Sequence, residues 1–168
     1  MATELYDLTI PVFLRGFASL AAFLEKGRVW AEEQGIAPDT LLEGRIHPDM
    51  KPLPAQVQRA SDAAKLFAVR LGQVENVAMA DDEVSFADLQ ARIARTVAFL
   101  EAVPASAING REDIPIEIKL PNRSFTMSGL AYAQGFAIPN FYFHVTTSYA
   151  ILRMQGVPVG KMDYLGAI

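Results

Sequence analysis

The chain has 168 residues, 51% of them hydrophobic and 20% charged, with no cysteine, two histidines and a net charge of −4. That length suits one domain, spanning residues 1–168, which buries roughly 70% of the surface its unfolded chain would expose. The missing cysteines exclude disulfides, thiolate zinc sites and cysteine nucleophiles, two histidines exclude a three-histidine metal site within one chain, and the acidic balance argues against a nucleic-acid partner.

The segment Met1-Ala2-Thr3-Glu4-Leu5-Tyr6-Asp7 lacks the basic region of a secretory signal. No apolar stretch reaches the ~20 residues of a membrane span. A cytoplasmic protein with no membrane partner is the expectation.

From Leu8 to Gln34 the residues Val12, Leu14, Phe17, Leu20, Phe23, Leu24, Val29 and Trp30 recur at three- and four-residue steps, which predicts a first helix. Pro11 either opens or kinks it, and Gly35 ends it. Pro38 suits the first position of a short helix through Leu42, stopped by Gly44. Pro48, Pro52 and Pro54 then make Arg45 to Pro54 a loop.

A second helix follows from Ala55 to Leu71, with Val57, Ala60, Ala64, Phe67, Ala68 and Leu71 as its apolar stripe. Gly72 to Glu83 is polar and loop-like, and Asp81-Asp82-Glu83 reads as solvated. Ser85 and Asp88 approximate a capping box for a third helix, whose stripe is Phe86, Leu89, Ile93, Val97 and Leu100. Pro104 closes it. Ile114 to Leu120 and Arg123 to Met127 both alternate with a period of two, so the pair reads as a β-hairpin around Pro121-Asn122.

Ser128 can cap a fourth helix from Gly129 to about Gln155, interrupted by Pro139. Its stripe would be Tyr132, Phe136, Phe143, Thr147, Ala150, Ile151 and Met154. Phe141, Tyr142 and Tyr149 widen the apolar surface, so the aromatic cluster reads as core, pocket lining or a dimer face. Gly156 ends the helix, and the tail Val157 to Ile168 is expected to pack on the bundle.

The run Pro139-Asn140-Phe141-Tyr142-Phe143-His144-Val145-Thr146-Thr147-Ser148-Tyr149 closely resembles the signature of a bacterial domain-of-unknown-function family within the DinB/YfiT-like metalloenzyme superfamily. Pro11-Val12-Phe13-Leu14-Arg15-Gly16, Pro48-Asp49-Met50 with Pro52-Leu53, and Gly160-Lys161-Met162-Asp163-Tyr164-Leu165-Gly166 are similar to the same family. The resemblance implies an all-α, DinB/YfiT-like four-helix bundle with a small β-hairpin before the last helix. It also implies a homodimer, and a divalent metal held in metal-binding members by one histidine of the second helix and two, four apart, of the last.

Carried onto this chain, His144 stands at one last-helix ligand position and Asn140, four residues earlier, at the other. The second helix has no histidine and offers Gln58 and Asp62, also four apart. The metal pattern is therefore degraded. A divalent metal held weakly by His144, Asp62 and Asn140, with loop residue His47 as a substitute ligand, stands against no cofactor at all, since neutral Asn is a poor ligand for zinc or nickel. The functional expectation is a small-molecule pocket at the bundle end around His144, with Gln58, Asp62 and Asn140 as polar partners and His144 as the candidate catalytic group. The alternative is a non-catalytic structural or binding dimer. In the bland reading Asp62 pairs with Lys65 or Arg59, and Asn140 serves the carbonyls that Pro139 leaves free.

Overall fold

Pro11 has no amide hydrogen to give, and it stands in the first turn of helix α1 (Ile10–Glu33), so it opens that helix without kinking it. The computed structural model describes residues 3–166; Met1, Ala2, Ala167 and Ile168, and with them the ends of the N-terminal segment and of the tail read above, lie outside the described residues. Gly35 follows α1 in the left-handed region at φ 68°, and the Ile36 N–H donates back to the Ala31 carbonyl at 2.8 Å, which closes the helix end. Pro38 starts a tighter 3-10 helix, Pro38–Glu43, where a short helix is expected.

Helix α2 (Leu53–Gly72) begins two residues before the periodicity suggests, because Pro54 fits its first turn. Its predicted stripe from Val57 to Leu71 is fully buried. Each large apolar side chain there contributes roughly 1.5–3 kcal/mol. Ser85 caps helix α3 (Phe86–Glu101) by accepting the Asp88 N–H at 3.1 Å, while the Asp88 carboxylate accepts the Val84 N–H at 3.1 Å. After Pro104 comes a one-turn helix, α4 (Ala105–Ile108), that the periodicity does not signal.

Strands β1 (Pro115–Leu120) and β2 (Arg123–Ser128) pair antiparallel as expected, with Ile116 opposite Met127 and Ile118 opposite Phe125. Ile116 and Ile118 are buried, so the hairpin gains its stability by lying on the helices. Gly129 then lets the chain enter the bundle. A Cβ there would sit 2.1 Å from the Arg111 carbonyl oxygen.

The fourth long helix is built in three pieces: α5 (Gly129–Tyr132), a single π-helical turn at Ala133–Ala137, and α6 (Ile138–Met154). The wide turn lies directly before Pro139, whose ring would otherwise meet the Gly135 carbonyl and which has no N–H to offer it. Pro139 therefore does not break the helix. The π turn takes up an extra residue and rotates the downstream segment, which corrects the predicted stripe. Beyond Pro139 the buried residues are Phe141, His144, Val145, Thr147, Ser148, Ile151 and Leu152, so Thr147 and Ile151 lie inward as expected, whereas Phe143 is 55% and Met154 54% exposed. Phase is also off at Val29 of α1, which faces out while Ile10 and Phe13 face in.

In the bundle α2 packs against both α3 and α6, and α1 packs against the same two helices. An aromatic chain runs through the centre, from Phe17 to Phe141 at 5.0 Å, on to Phe13 at 5.1 Å, Phe67 at 5.4 Å and Tyr132 at 6.0 Å. Gly16 permits the close approach of α1 to α6, since a Cβ there would stand 2.4 Å from the Phe141 ring. The described part of the tail packs on α1, as expected. Its short helix α7 (Lys161–Leu165) ties Asp163 to Lys26 at 3.0 Å.

In the Asp81-Asp82-Glu83 segment the two aspartates are exposed as expected, and Glu83 departs from expectation. Glu83 is buried rather than solvated, accepting from Arg92 at 2.9 Å and from Gln58 at 2.8 Å. Arg92 is itself wholly buried and also reaches Asp81 at 3.0 Å, Asp62 at 3.4 Å and the Ala80 carbonyl at 2.9 Å. This clamp holds the 73–85 loop against α2 and α3.

Candidate functional site

Residues 59, 62, 66 and 70 recur at helical steps, so one face of α2 presents Arg59, Asp62 and Arg70 in a row. Opposite them stand Tyr132 just before the π turn, Phe136 within it, and Asn140 and His144 beyond it. The end of β1, with Ile118 and Lys119, closes the third side. Together they line a cleft of about 310 Å³.

Three of the residues singled out from the sequence, Asp62, Asn140 and His144, thus meet in one cleft. Two do not. Gln58 points to the clamp, where its amide donates to Glu83, because it lies on the α3 side of α2. His47 is an exposed loop residue bonded to Asp49 and lines no part of the cleft.

His144 is 9% exposed, and its environment sets its chemistry. The Gln56 amide donates to the Lys51 carbonyl at 2.9 Å, which directs its oxygen to Nδ1 of His144 at 2.8 Å. Nδ1 therefore carries the proton and donates, and Nε2 is left as an acceptor. Nε2 has no partner among the described residues, yet it is not sealed from solvent. Burial, helped by the nearby charge of Arg59, depresses the pKa of the ring from 6.5 to about 4. His144 is a neutral acceptor at neutral pH.

The other walls differ in how committed they are. The Asp62 carboxylate is engaged from behind, by Arg92 at 3.4 Å and Lys65 at 3.5 Å, so the pairing with Lys65 predicted for it is present and Arg59 takes no part. Arg70 donates to the Tyr132 hydroxyl at 3.1 Å, and Lys119 pairs with Glu117 at 3.3 Å. Burial raises the Tyr132 pKa, against the opposing hydrogen bond and charge of Arg70, so its hydroxyl stays protonated. Asn140 and Arg59 have no side-chain partner among the described residues; Asn140 does not serve the carbonyls near Pro139, which the π turn handles instead.

The donor set does not fit the three-histidine metal centre that the family resemblance implies. His144 is the one imidazole in the cleft, Asn140 is neutral, and Asp62 is spent on two cations. Among the described residues no group of three histidine, aspartate or glutamate side chains is arranged to hold a metal ion. No described helix is long and apolar enough to cross a membrane.

Sequence reasoning missed Gln56, Arg59 and Arg70. Arg59 and Arg70 share the Asp62 face at helical spacing and could have been found from it. Gln56 carries no such signal.

The model of a family described as a domain of unknown function, DUF1993, matches residues 5–165. No curated protein matches. Among solved structures the chain is similar to a DinB family member protein from Shewanella denitrificans, at 39% identity and a TM-score of 0.90, over 98% of this chain and 93% of that one.

Proposed function

The chain belongs to the DUF1993 family and has the DinB-like helical fold, and from that premise we propose that it binds a small molecule in the cleft around His144 without a three-histidine metal centre. One observation carries the reading. A buried histidine that lines a cavity has its proton committed to Gln56 through Nδ1, which leaves Nε2 as a free acceptor. An oriented acceptor that has no protein partner and stands in a cavity-lining residue is the kind of polar group that fixes the orientation of a bound small molecule.

With a conjugate acid of pKa about 4, His144 is a weak base at neutral pH. It suits the orientation of a ligand hydroxyl or N–H better than proton abstraction from a weak acid. Asn140, one turn earlier on the same face, supplies both a donor and an acceptor for a second contact.

The two histidines make the test direct. Small polar molecules are screened by nuclear magnetic resonance with the two imidazole rings as reporters. Binders are expected to move the His144 resonances and leave those of His47 in place. A set of binders that leaves the His144 ring unmoved would overturn the reading.

A second reading has its own support. Phe143 (55% exposed) and Met154 lie on one face of α6, and Ile46 (41% exposed) borders the same apolar groove as Phe143. An apolar patch of this kind suits a second copy of the chain. Light scattering is expected to give twice the chain mass, falling to one chain mass in Phe143→Glu; a single chain mass for the unaltered protein sinks it.

A further inference from the structure

Resting on the reading of the cleft as a small-molecule site, we infer that its ligand is a small organic anion, with a carboxylate or phosphate held by Arg59 and an adjacent hydroxyl or amino hydrogen accepted by Nε2 of His144. The charges around the cleft lead to this class. In a chain of net charge −4, the lining has three cations, Arg59, Arg70 and Lys119, against one carboxylate. That carboxylate, Asp62, is already offset by Lys65 and the buried Arg92. Lys119 is itself paired with Glu117 at 3.3 Å, so Arg59 and Arg70 are the lining cations that no carboxylate among the described residues meets.

Of these two, Arg59 is the free group. Arg70 is held by the Tyr132 hydroxyl, whereas Arg59 has no hydrogen bond or ion pair among the described residues. Arg59 and Arg70 are eleven residues apart on α2, roughly 16 Å along the axis, so a small ligand reaches one and not both. Arg59 stands one turn along α2 from Gln56, the residue bonded to the His144 ring, which puts it at the histidine end.

An anion on Arg59 would place its neighbouring atoms near the ring. There Nε2 can only accept, because the hydrogen bond of Nδ1 to Gln56 fixes the tautomer. The best partner for this end is a group that presents negative charge to the guanidinium and a hydrogen to the imidazole. A guanidinium fork suits carboxylate and phosphate alike.

Four probes separate the possibilities, each titrated into the protein while the His144 ring and the Arg59 side chain are followed by nuclear magnetic resonance. Glycolate has the charge and the hydroxyl, propionate the charge alone, glycolamide the hydroxyl alone, and inorganic phosphate tests the other source of anion. Glycolate or phosphate is expected to bind most tightly, with propionate and glycolamide each weaker by about ten-fold. Arg59→Gln, at a position whose side chain holds no other part of the fold, is expected to weaken glycolate and phosphate by about ten-fold, and Arg59→Lys to restore part of the loss. Equal affinity of glycolate and glycolamide, or unchanged anion binding in Arg59→Gln, would overturn the anion assignment and leave the small-molecule reading standing. If none of the four moves the ring, the anion assignment falls; if the wider screen is silent as well, so does the reading beneath it.

Discussion

Helix α2 carries two polar clusters that use the same residue types to different ends. On the α3 side, Arg92 is wholly buried and its guanidinium is met by Glu83, Asp81, Asp62 and the Ala80 carbonyl, with Gln58 completing Glu83. On the α6 side, Arg59, Asn140 and the Nε2 of His144 face a cleft with no protein partner among the described residues. A charge network that closes on itself in this way, with only the Nε of Arg92 left without a partner, serves the fold. Polar groups that are positioned but left half-satisfied are available to a ligand. Asp62 belongs to both clusters, and its bonds to Arg92 and Lys65 assign its charge to the first.

The contrast is sharpest in stability. Arg92→Met leaves Glu83 and its neighbours buried without their cation and is expected to cost about 3–5 kcal/mol. Arg59→Gln should stay within about 0.5 kcal/mol. Chemical denaturation of the two variants compares the clusters directly, and equal losses would erase the distinction.

Acid separates them next. The folded-state pKa of His144 lies below its unfolded value, so the unfolded chain takes up the proton first. The associated stability is complete above pH 6.5 and is lost as pH falls from 6.5 through about 4. The full loss is about 3 kcal/mol, or about 2 kcal/mol after allowance for solvent screening at Nε2. Burial alone would push Glu83 up, but the hydrogen bonds from Arg92 and Gln58 outweigh it and hold the carboxyl below its ordinary range. Its contribution therefore persists above the ordinary carboxylate pKa and is lost only as pH drops below that range. Melting temperatures across pH should fall in two stages, the first absent in His144→Gln; a single stage shared by both proteins would count against this order.

A smaller effect tests the link from Gln56 to the cleft. Gln56→Leu removes the acceptor of the Nδ1 proton and is expected to cost about 1–2 kcal/mol. The nitrogen shifts of His144 should then report a mixture of tautomers, whereas an unchanged tautomer would show that Gln56 does not set it. Least of all, Gln73 ends α2 in the left-handed region at φ 53°, where glycine is at ease, and starts the loop that the Arg92 clamp holds. Gln73→Gly should stabilise by about 0.5 kcal/mol without affecting ligand binding, measurable as a small rise in melting temperature.

Much of this molecule can be read from its residues. The long helices, the cap at Ser85, the turn-opening prolines and the hairpin come from local rules: a proline without a donor, a serine beside free amides, an alternation that one face of a strand can bury. The four-residue spacing of Asn140 and His144 put them on one face before any partner was known. The site was legible to that extent, together with Asp62.

The remainder depended on packing between elements. Periodicity tells which side of a helix turns inward but not which neighbour it meets, so Gln58 was expected at the pocket although it completes the Arg92 clamp, and Gln56, which orients His144, carried no signal. The π turn before Pro139 changed the phase of the last helix, and Phe143 faces outward; the proline signals an interruption there but not the rotation that results. Glu83 looked solvated because its partner lies nine residues further on, on another element. The sequence by itself determined the elements and the residue types available to each side of α2. Only the tertiary structure decided which charges neutralise one another and which face the cleft, because electrostatic pairing depends on distances that no spacing along the chain contains.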